Sequence, residues 1–277
     1  MHNPTQRQTK GVLTPERIAE FAAFARRLAD AAASETLPRF RAPMAVENKD
    51  GESGFDPVTE ADRAAERVMR ELIEATYPEH GILGEEFGEK PSQCGFCWVL
   101  DPVDGTRAFI AGLPTWGTLI ALNDGSRPVI GLVAQPYIGE IFLGITAGEV
   151  RQATLNGRPI RTRPCARLGE AILSTTGIAW FTPAERAAYL ALEAETRLVR
   201  YGFDCYAYAV LAAGHIDIVA EAGLQPHDVQ ALIPLVEGAG GIVSDWQGGE
   251  AQHGGCILAA GDARVHAGAL ALLAAAD

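Results

Sequence analysis

Two aspartates stand directly after an apolar run in the first half of the chain. The run Trp98-Val-Leu100 is typical of a buried strand, and Asp101 and Asp104 follow it. Pro102 keeps the backbone extended or turning before any helix can begin, so both carboxylates can converge with the Val103 carbonyl oxygen. Carboxylate and carbonyl oxygens suit a hard ion, Mg²⁺ or Mn²⁺. The segment is therefore a candidate metal site.

The next residues favour an anion beside that ion. Gly105 lets a phosphate approach the main chain closely, and a helix that opens at Thr106-Arg-Ala-Phe109 would direct free N–H groups at the phosphate. An isolated DxxDG sequence is more often a polar turn with two solvated aspartates. Further acidic motifs have to decide between the two interpretations.

Three other acidic residues have positions that fit a metal site. Glu85 follows the short apolar run Gly81-Ile-Leu83, and Asp228 stands at the start of a predicted helix. Each motif is weak alone, because Asp228 could be a helix N-cap and Asp62 could form a capping box with Thr59.

The hydrophobic pattern indicates the elements that must position these residues. Residues 18–32 have helical spacing after Thr14-Pro15, and a second helix follows Asp56-Pro57 and ends before Pro78. Short apolar runs separated by turns, from residue 98 to about 160, predict an antiparallel meander. Later strands are predicted at 171–175, 198–200, 216–220, 241–245 and 256–260, and helices near 183–196, 204–213, 228–239 and 263–275.

No repeat, low-complexity tract or flexible linker divides the sequence. We expect an N-terminal half, residues 1–160, with two helices, the meander and most of the metal ligands. A C-terminal α/β half, residues 161–277, carries Asp228 and substrate contacts. The halves should form one rigid unit, and the cleft between them is the expected site.

Composition limits the kinds of partner. The chain has 35 acidic and 23 basic side chains, a net charge of −12 and no Lys/Arg-rich block, so we expect no nucleic-acid partner. Residues 1–10 lack the apolar core of a signal peptide and 265–276 are too few to span a bilayer, so no membrane segment is expected. Five cysteines, an odd number, fit a reduced cytoplasmic protein, and the role of Cys94 and Cys97 stays open.

The order of the acidic motifs resembles the inositol monophosphatase superfamily over nearly the whole chain. The motifs are Asp56-Pro-Val-Thr-Glu-Ala-Asp62, Gly84-Glu-Glu86, Trp98-Val-Leu-Asp-Pro-Val-Asp-Gly-Thr106, His227-Asp228 and Glu237-Gly-Ala-Gly-Gly241. The resemblance implies an α/β (α+β) fold, layered as an α-β-α-β-α sandwich, with an antiparallel sheet in the first half and a mixed sheet in the second. It also implies a phosphatase that uses two or three Mg²⁺ ions per site and forms a homodimer.

The resemblance assigns roles to individual residues. The implied metal ligands are Glu85, Asp101, Asp104, Asp228, the Val103 carbonyl oxygen and, for an additional and weaker ion, Asp62. The implied catalytic residues are Glu85, Thr106 and Asp104, of which Glu85 and Thr106 would hold the attacking water. Two ions roughly 4 Å apart can activate that water and stabilise the leaving oxygen, so no covalent phosphoenzyme is needed.

Spacing excludes other hydrolytic mechanisms. A phosphatase of the haloacid dehalogenase type would have its aspartates two positions apart, but Val103 stands at that position. No cysteine is followed by an arginine six positions later, and neither a GxxxxGK[ST] nor a GxSxG sequence occurs.

The remaining motifs resemble the histidinol-phosphatase branch of the superfamily. They are Gly84-Glu-Glu-Phe-Gly88, Arg107-Ala-Phe-Ile-Ala-Gly112, Gly202-Phe-Asp-Cys-Tyr-Ala-Tyr208, Ala213-Gly-His-Ile-Asp217 and Gln225-Pro-His-Asp228. The implied substrate contacts are Gly105, Thr106, Arg107, Arg200, Glu221 and Asp228. Glu221 would meet the substrate amine and Arg200 an anionic group. The expected reaction is hydrolysis of L-histidinol phosphate to L-histidinol and phosphate in histidine biosynthesis.

Other interpretations stay open at this point. Glu221 could be a solvated glutamate at a strand end, and Arg200 a surface arginine. The small phosphomonoester could instead be inositol 1-phosphate or a 3′-phosphonucleotide. A non-catalytic, metal-dependent binder of phosphate ligands is a more remote alternative.

Overall fold

A computed structural model describes residues 13–43, 46–48 and 57–274 of the chain. Its helices are α1 (Pro15–Thr36), α2 (Glu60–Thr76), α3 (Thr106–Ile110), α4 (Pro183–Glu195), α5 (Asp204–Ala212), α6 (Pro226–Val229), α7 (Leu232–Gly238) and α8 (Ala263–Leu273). Its strands are β1 (Val46–Asn48), β2 (Pro57–Thr59), β3 (Gly81–Gly84), β4 (Gly88–Lys90), β5 (Cys97–Asp104), β6 (Gly117–Asn123), β7 (Pro128–Gln135), β8 (Glu140–Ala147), β9 (Val150–Leu155), β10 (Arg158–Pro159), β11 (Ile172–Thr175), β12 (Leu198–Tyr201), β13 (Ile218–Leu224), β14 (Ile242–Asp245) and β15 (Gly255–Ala260).

Both N-terminal helices begin where the sequence predicts. Thr14 caps α1, since its Oγ1 accepts a hydrogen bond from Arg17 N at 3.4 Å, and Pro15 occupies the first turn. Thr59 and Asp62 form a capping box at α2, in which Thr59 N donates to Asp62 Oδ2 at 3.0 Å. Asp62 therefore has a structural role in addition to the predicted metal role.

The larger sheet of the described residues has the strand order β10-β9-β8-β7-β6-β5-β3-β4. Its ladders from β5 to β10 are antiparallel, which confirms the predicted meander. The ladder between β3 and β5 is parallel, so this sheet is mixed. The connection explains the difference: β4 folds back along one edge of β3, and the chain then crosses to the other edge, where β5 runs in the direction of β3.

The smaller sheet has the order β12-β11-β13-β15-β14 and is mixed, as predicted. Strand β11 runs parallel to β12 and β13, and the ladders of β15 are antiparallel. Strand β13 continues past the predicted end at residue 220, and its pairing with β15 shifts between Glu221 and Leu224. Glu221 thus lies inside a strand, not at its end.

Strand side chains alternate between separate cores, as expected for sheets that are covered on both faces. On β5, Trp98 and Leu100 pack with α1 and α2, whereas Val99 packs with α5 and α7. On β13, Val219 joins the core of α5 and α7, and Ile218 joins that of α4 and α8. The layers are therefore α1/α2, the larger sheet, α5/α7, the smaller sheet and α4/α8. This confirms the predicted sandwich.

Glycines let α7 pack directly on the backbone of the larger sheet. A Cβ at Gly144 on β8 would overlap with the main chain of Leu235. A Cβ at Gly131 on β7 would overlap with the carbonyl of Ala231, and Gly238 leaves equally little room beside β9. Main-chain contacts therefore set the distance between α7 and the sheet.

The helix predicted at 228–239 is divided into α6 and α7. Pro234 explains the interruption, because it has no N–H and its ring would clash with the carbonyl of Gln230 in a continuous helix. Asp228 is therefore the third residue of a short helix rather than the first residue of a long one.

Within the described ranges, no helix is long and apolar enough to cross a bilayer. The expectation for residues 1–10 lies outside the described residues. The division at residue 160 and the rigid association of the halves stay predictions, although the core of α5 and α7 takes residues from both sheets.

Candidate active site

Three aspartates bring their carboxylates together at one end of the larger sheet. One oxygen from each of Asp101, Asp104 and Asp228 lies within 4.8 Å of the others. Asp101 and Asp104 are three positions apart on β5, and in a regular strand they would point to opposite faces. The pairing of β5 with β6 shifts between them, and this irregularity lets both carboxylates face Asp228 on α6.

Burial and mutual repulsion dominate the electrostatics of this cluster. Burial, followed by the charges of Glu85 and Asp104, raises the pKa of Asp101 well above its ordinary value. Burial also raises the pKa of Asp104, and the charges of Asp204 and Asp228 add to that shift. Asp101 is buried and the other two are half-buried, and carboxylates held this close need a cation if all of them are to remain ionised. The all-oxygen set fits a hard divalent cation.

Thr106 stands beside the cluster with its hydroxyl between two acceptors. Its Oγ1 lies 3.1 Å from the Val103 carbonyl oxygen and 3.3 Å from Asp62 Oδ1. The hydroxyl has one proton to donate and keeps lone pairs that can accept a hydrogen bond from water. Burial raises the pKa of Asp62 to about 6. The hydrogen bonds from Thr59 lower this pKa, and the charge of Glu85 raises it further.

Glu85 lies on the turn between β3 and β4, and its charge acts on the cluster. That charge adds to the raised pKa values of Asp62, Asp101 and Asp228. Its main-chain N–H donates to the Leu100 carbonyl at 3.3 Å, which ties the turn to β5. The Glu85 carboxylate is not part of the group of three, so the structure places it near the cluster but not within it.

A buried glutamate that the sequence analysis did not single out holds this turn. Glu66 on α2 accepts hydrogen bonds from Glu86 N at 2.7 Å and Phe87 N at 3.1 Å, and Arg70 Nε donates to it at 2.7 Å. Its carboxylate fills the space that a Cβ at Gly84 would need. The only local sign of this role is the i,i+4 spacing of Glu66 and Arg70, and the same spacing is typical of ion pairs on helix surfaces.

The start of α5 closes on the cluster from another side. Gly105 has φ +82°, and a Cβ there would lie 2.9 Å from Asp204 Cγ. Asp204 itself has φ +47°, and burial raises its pKa to about 6 while the charge of Arg107 lowers it. Cys205 N donates to Asp104 Oδ2 at 2.6 Å. Asp204 is therefore a further candidate site residue, which the sequence analysis included only as part of the motif Gly202-Phe-Asp-Cys-Tyr-Ala-Tyr208.

The two predicted arginines are exposed and contact aromatic rings. The Arg107 guanidinium carbon lies 5.3 Å from the centroid of Trp180. That of Arg200 lies 5.5 Å from the centroid of Phe203, which precedes α5. Arg107 acts electrostatically on Asp204. Within the described part of the chain, Arg200 forms no ion pair with a carboxylate of the cluster, and its substrate role stays a prediction.

Glu221 is buried, which excludes the solvated alternative. Its carboxylate accepts hydrogen bonds from Thr175 Oγ1 at 3.1 Å, Thr176 N at 2.7 Å and Thr176 Oγ1 at 2.9 Å. Burial raises its pKa to about 8, although these hydrogen bonds lower it. Burial, then the charges of Glu221 and Asp104, raises the pKa of Tyr208. Glu221 and Asp104 are therefore both near enough to Tyr208 to act on it electrostatically.

Comparison with known proteins connects this geometry to a family. The model of the inositol monophosphatase family matches residues 17–276. The chain belongs to the inositol monophosphatase family. As a member of this metal-dependent phosphatase family it is a hydrolase of phosphoric monoesters, and its aspartate cluster lies where a metal can be held.

Family relatives carry different substrate names. The chloroplastic bifunctional phosphatase IMPL2 of Arabidopsis thaliana is 40% identical over 269 residues, which cover 93% of this chain and 76% of that protein. A histidinol-phosphatase of Chlorobaculum parvum is 35% identical over 223 residues, 80% of this chain and 84% of that one. A solved inositol monophosphatase from Zymomonas mobilis has a TM-score of 0.83 and 41% identity and covers 92% of this chain and 98% of its own.

Proposed function

We propose that the protein hydrolyses L-histidinol phosphate to L-histidinol and phosphate with Mg²⁺, as a step of histidine biosynthesis. The observation that carries the proposal is a pair of carboxylates beside the aspartate cluster, the half-buried Asp204 and the buried Glu221. An alcohol that bears an amine gives these carboxylates a counter-charge, whereas inositol is neutral. The likeness to a histidinol-phosphatase supports the same substrate.

The ions in this proposal are held by Glu85, Asp101, Asp104, Asp228 and the Val103 carbonyl oxygen. Asp62 supports an additional, weaker ion. Bound Mg²⁺ would lower the pKa of water and stabilise charge on the leaving oxygen, and Mn²⁺ would suit the same oxygen ligands.

The protein's own groups orient the reactants. The Thr106 hydroxyl donates a hydrogen bond to Asp62 or to the Val103 carbonyl, so its oxygen can accept a hydrogen bond from the attacking water. Glu85 holds the same water from the β3–β4 turn. Gly105 has no side chain, so a phosphate can approach the main chain at the start of α3. Arg107 adds positive charge beside Asp204.

Inositol-1-phosphatase activity is the second candidate. The solved Zymomonas mobilis inositol monophosphatase, at 41% identity over 92% of this chain, favours it. Only the pocket for the alcohol would differ, because the metal ligands are the same.

Phosphate release with Mg²⁺ tests the proposal. The panel contains histidinol phosphate, inositol 1-phosphate and 3′-phosphoadenosine 5′-phosphate. We expect the highest kcat/KM for histidinol phosphate, and a preference for either of the others would reject the substrate assignment.

Two variants test the mechanism against a non-catalytic binder. Thr106→Ala and Asp104→Asn should reduce turnover by at least ~10²-fold while circular dichroism stays unchanged, since each removes a group that orients or charges the reacting centre. Asp30→Asn, at an exposed position of α1, is the matched control and should retain full activity. Unchanged turnover in Asp104→Asn would exclude hydrolysis at this cluster.

We also propose that the protein works in the cytoplasm as a homodimer. Light scattering of the purified chain measures the second point, and a monomer at assay concentrations that is fully active would contradict it.

A further inference from the structure

An exposed tryptophan lies on the segment that joins β11 to α4. Trp180 is 47% exposed, although its neighbour Phe181 is buried in the core of α4 and α8. Arg186 on α4 holds the same segment, since its Nε donates to the Ile178 carbonyl at 3.1 Å and its Nη2 to the Ala179 carbonyl at 3.0 Å. The indole is therefore exposed to solvent on a segment that Phe181 anchors in the core and that Arg186 holds through two hydrogen bonds.

Two contacts place this indole beside the candidate active site. Its six-membered ring covers Gly177, where a Cβ would lie 2.9 Å from Trp180 Cη2, and the preceding Thr176 binds Glu221. The Arg107 guanidinium carbon lies 5.3 Å from the Trp180 ring centroid. The indole thus bridges the part of the chain that holds Glu221 and the part that follows Gly105.

Asp204 also lies in this region, close to both Arg107 and Gly105. The charge of Arg107 lowers the pKa of Asp204, whose Cγ would lie 2.9 Å from a Cβ at Gly105. Trp180 therefore lies at the edge of the site that Arg107 and Asp204 line, and the alcohol of a phosphomonoester bound at Gly105 would meet the indole if it extends along this edge. A large exposed aromatic surface at such a place is suited to packing against a flat group.

We propose that Trp180 forms an aromatic wall of the alcohol pocket and selects phosphomonoesters whose alcohol carries a flat ring, such as imidazole. This inference rests on the proposed function, because it concerns recognition at the same site. Stacking of an aromatic ring stabilises the bound substrate beyond the effect of the apolar area that it buries, and a protonated imidazole would add a cation–π contribution. Trp180 is a specificity-determining residue and takes no part in the chemical step.

The test compares substrates with and without a ring. The enzyme, with Mg²⁺, is assayed on histidinol phosphate, on p-nitrophenyl phosphate as a second ring substrate and on glycerol 2-phosphate. For Trp180→Ala we expect kcat/KM to fall about tenfold on the ring substrates, mainly through KM, and to change less than about twofold on glycerol 2-phosphate. Trp180→Phe should lose less than about threefold on every substrate. Leu190→Ala, an exposed apolar position of α4 that is 44% exposed, is the control for surface truncation.

The outcomes separate this inference from the substrate assignment. If wild type does not prefer histidinol phosphate, the proposed function fails, but a selective loss on p-nitrophenyl phosphate in Trp180→Ala still supports the wall. If wild type prefers histidinol phosphate and Trp180→Ala leaves both ring substrates unchanged, the wall is rejected. An equal loss on all three substrates also rejects it, because the segment would then act on the metal site itself.

Discussion

His80 is buried among aromatic rings, where a positive charge is unfavourable. Its ring stacks on Tyr77 with centroids 4.6 Å apart, and Trp98 Nε1 donates to its Nδ1 at 3.1 Å. A proton on Nδ1 would face that donor. Burial, helped by the charge of Arg17, lowers the pKa of His80 to about 4. The folded protein therefore favours the neutral ring.

This predicts a loss of stability on acidification. Because the pKa of His80 is 6.5 in the unfolded chain and about 4 in the folded one, the unfolded state binds more protons between these values. The stability due to the neutral ring is complete above pH 6.5 and is lost as the pH falls towards 4. His80→Gln cannot titrate but can still accept from Trp98. Its deficit in unfolding free energy relative to wild type should shrink by roughly 1–3 kcal/mol between pH 7 and 4.5 in urea titrations. A deficit that is constant with pH would contradict the prediction.

Single residues differ in how far the sequence could predict their roles. Asp101, Asp104 and Thr106 could be identified because their spacing and the neighbouring Pro102 and Gly105 carry local information. Asp204 and Glu66 could not, because their importance depends on contacts with residues far along the chain. A charge that meets its partner only after folding has no local signature.

At the scale of elements, Glu66 positions the β3–β4 turn that carries Glu85. In Glu66→Gln the amide NH₂ would face one of the N–H donors of Glu86, Phe87 or Arg70, so one hydrogen bond must be lost. We expect the Mg²⁺ concentration for half-maximal activity to rise several-fold and stability to fall by about 1–3 kcal/mol. Glu71→Gln, exposed on the same helix, is the control. An unchanged Mg²⁺ requirement would separate the turn from metal binding.

The packing of α7 on the sheet gives a second prediction at this scale. Gly144→Ala places a methyl group against the main chain of Leu235, so α7 must move outward. Overpacking of this kind costs about 1–3 kcal/mol, which would appear as a lower urea midpoint with an unchanged slope. Gly169→Ala, whose nearest atom would be 3.9 Å away, should be neutral. Equal midpoints for the two variants would show that the helix yields without cost.

Helix starts were predictable, and sheet pairing was only partly so. Thr14-Pro15 and the Thr59–Asp62 box act within one turn, so the sequence contains the whole interaction. The parallel ladder of β3 with β5 depends on which edge the chain crosses to, and no local pattern states this. The division between α6 and α7 was predictable from Pro234.

For the whole molecule, the cluster joins two sheets through one site. Asp101 and Asp104 belong to β5 of the larger sheet. Asp228 lies on α6, which directly follows β13 of the smaller sheet. Because a metal binds only the folded arrangement, Mg²⁺ at about 100 times its Kd should add ~2.7 kcal/mol and raise Tm by roughly 5 °C relative to EDTA. Asp228→Asn should lose most of this shift, and Asp30→Asn should keep it. An equal shift in all three proteins would place the stabilising ion elsewhere.

Because α7 contacts the sheet directly, the stability of the protein and the geometry of its metal site can vary independently. Ala231 and Leu235 touch the sheet through main-chain atoms, and Asp228 lies three residues before Ala231. As long as Gly131 and Gly144 are kept, no side chain lies between the helix and the sheet at these contacts. Substitutions among the surrounding apolar residues can therefore make the protein more or less stable without shifting Asp228 from Asp101 and Asp104. Tolerance to sequence drift in the middle layer is thus compatible with a metal site of fixed geometry.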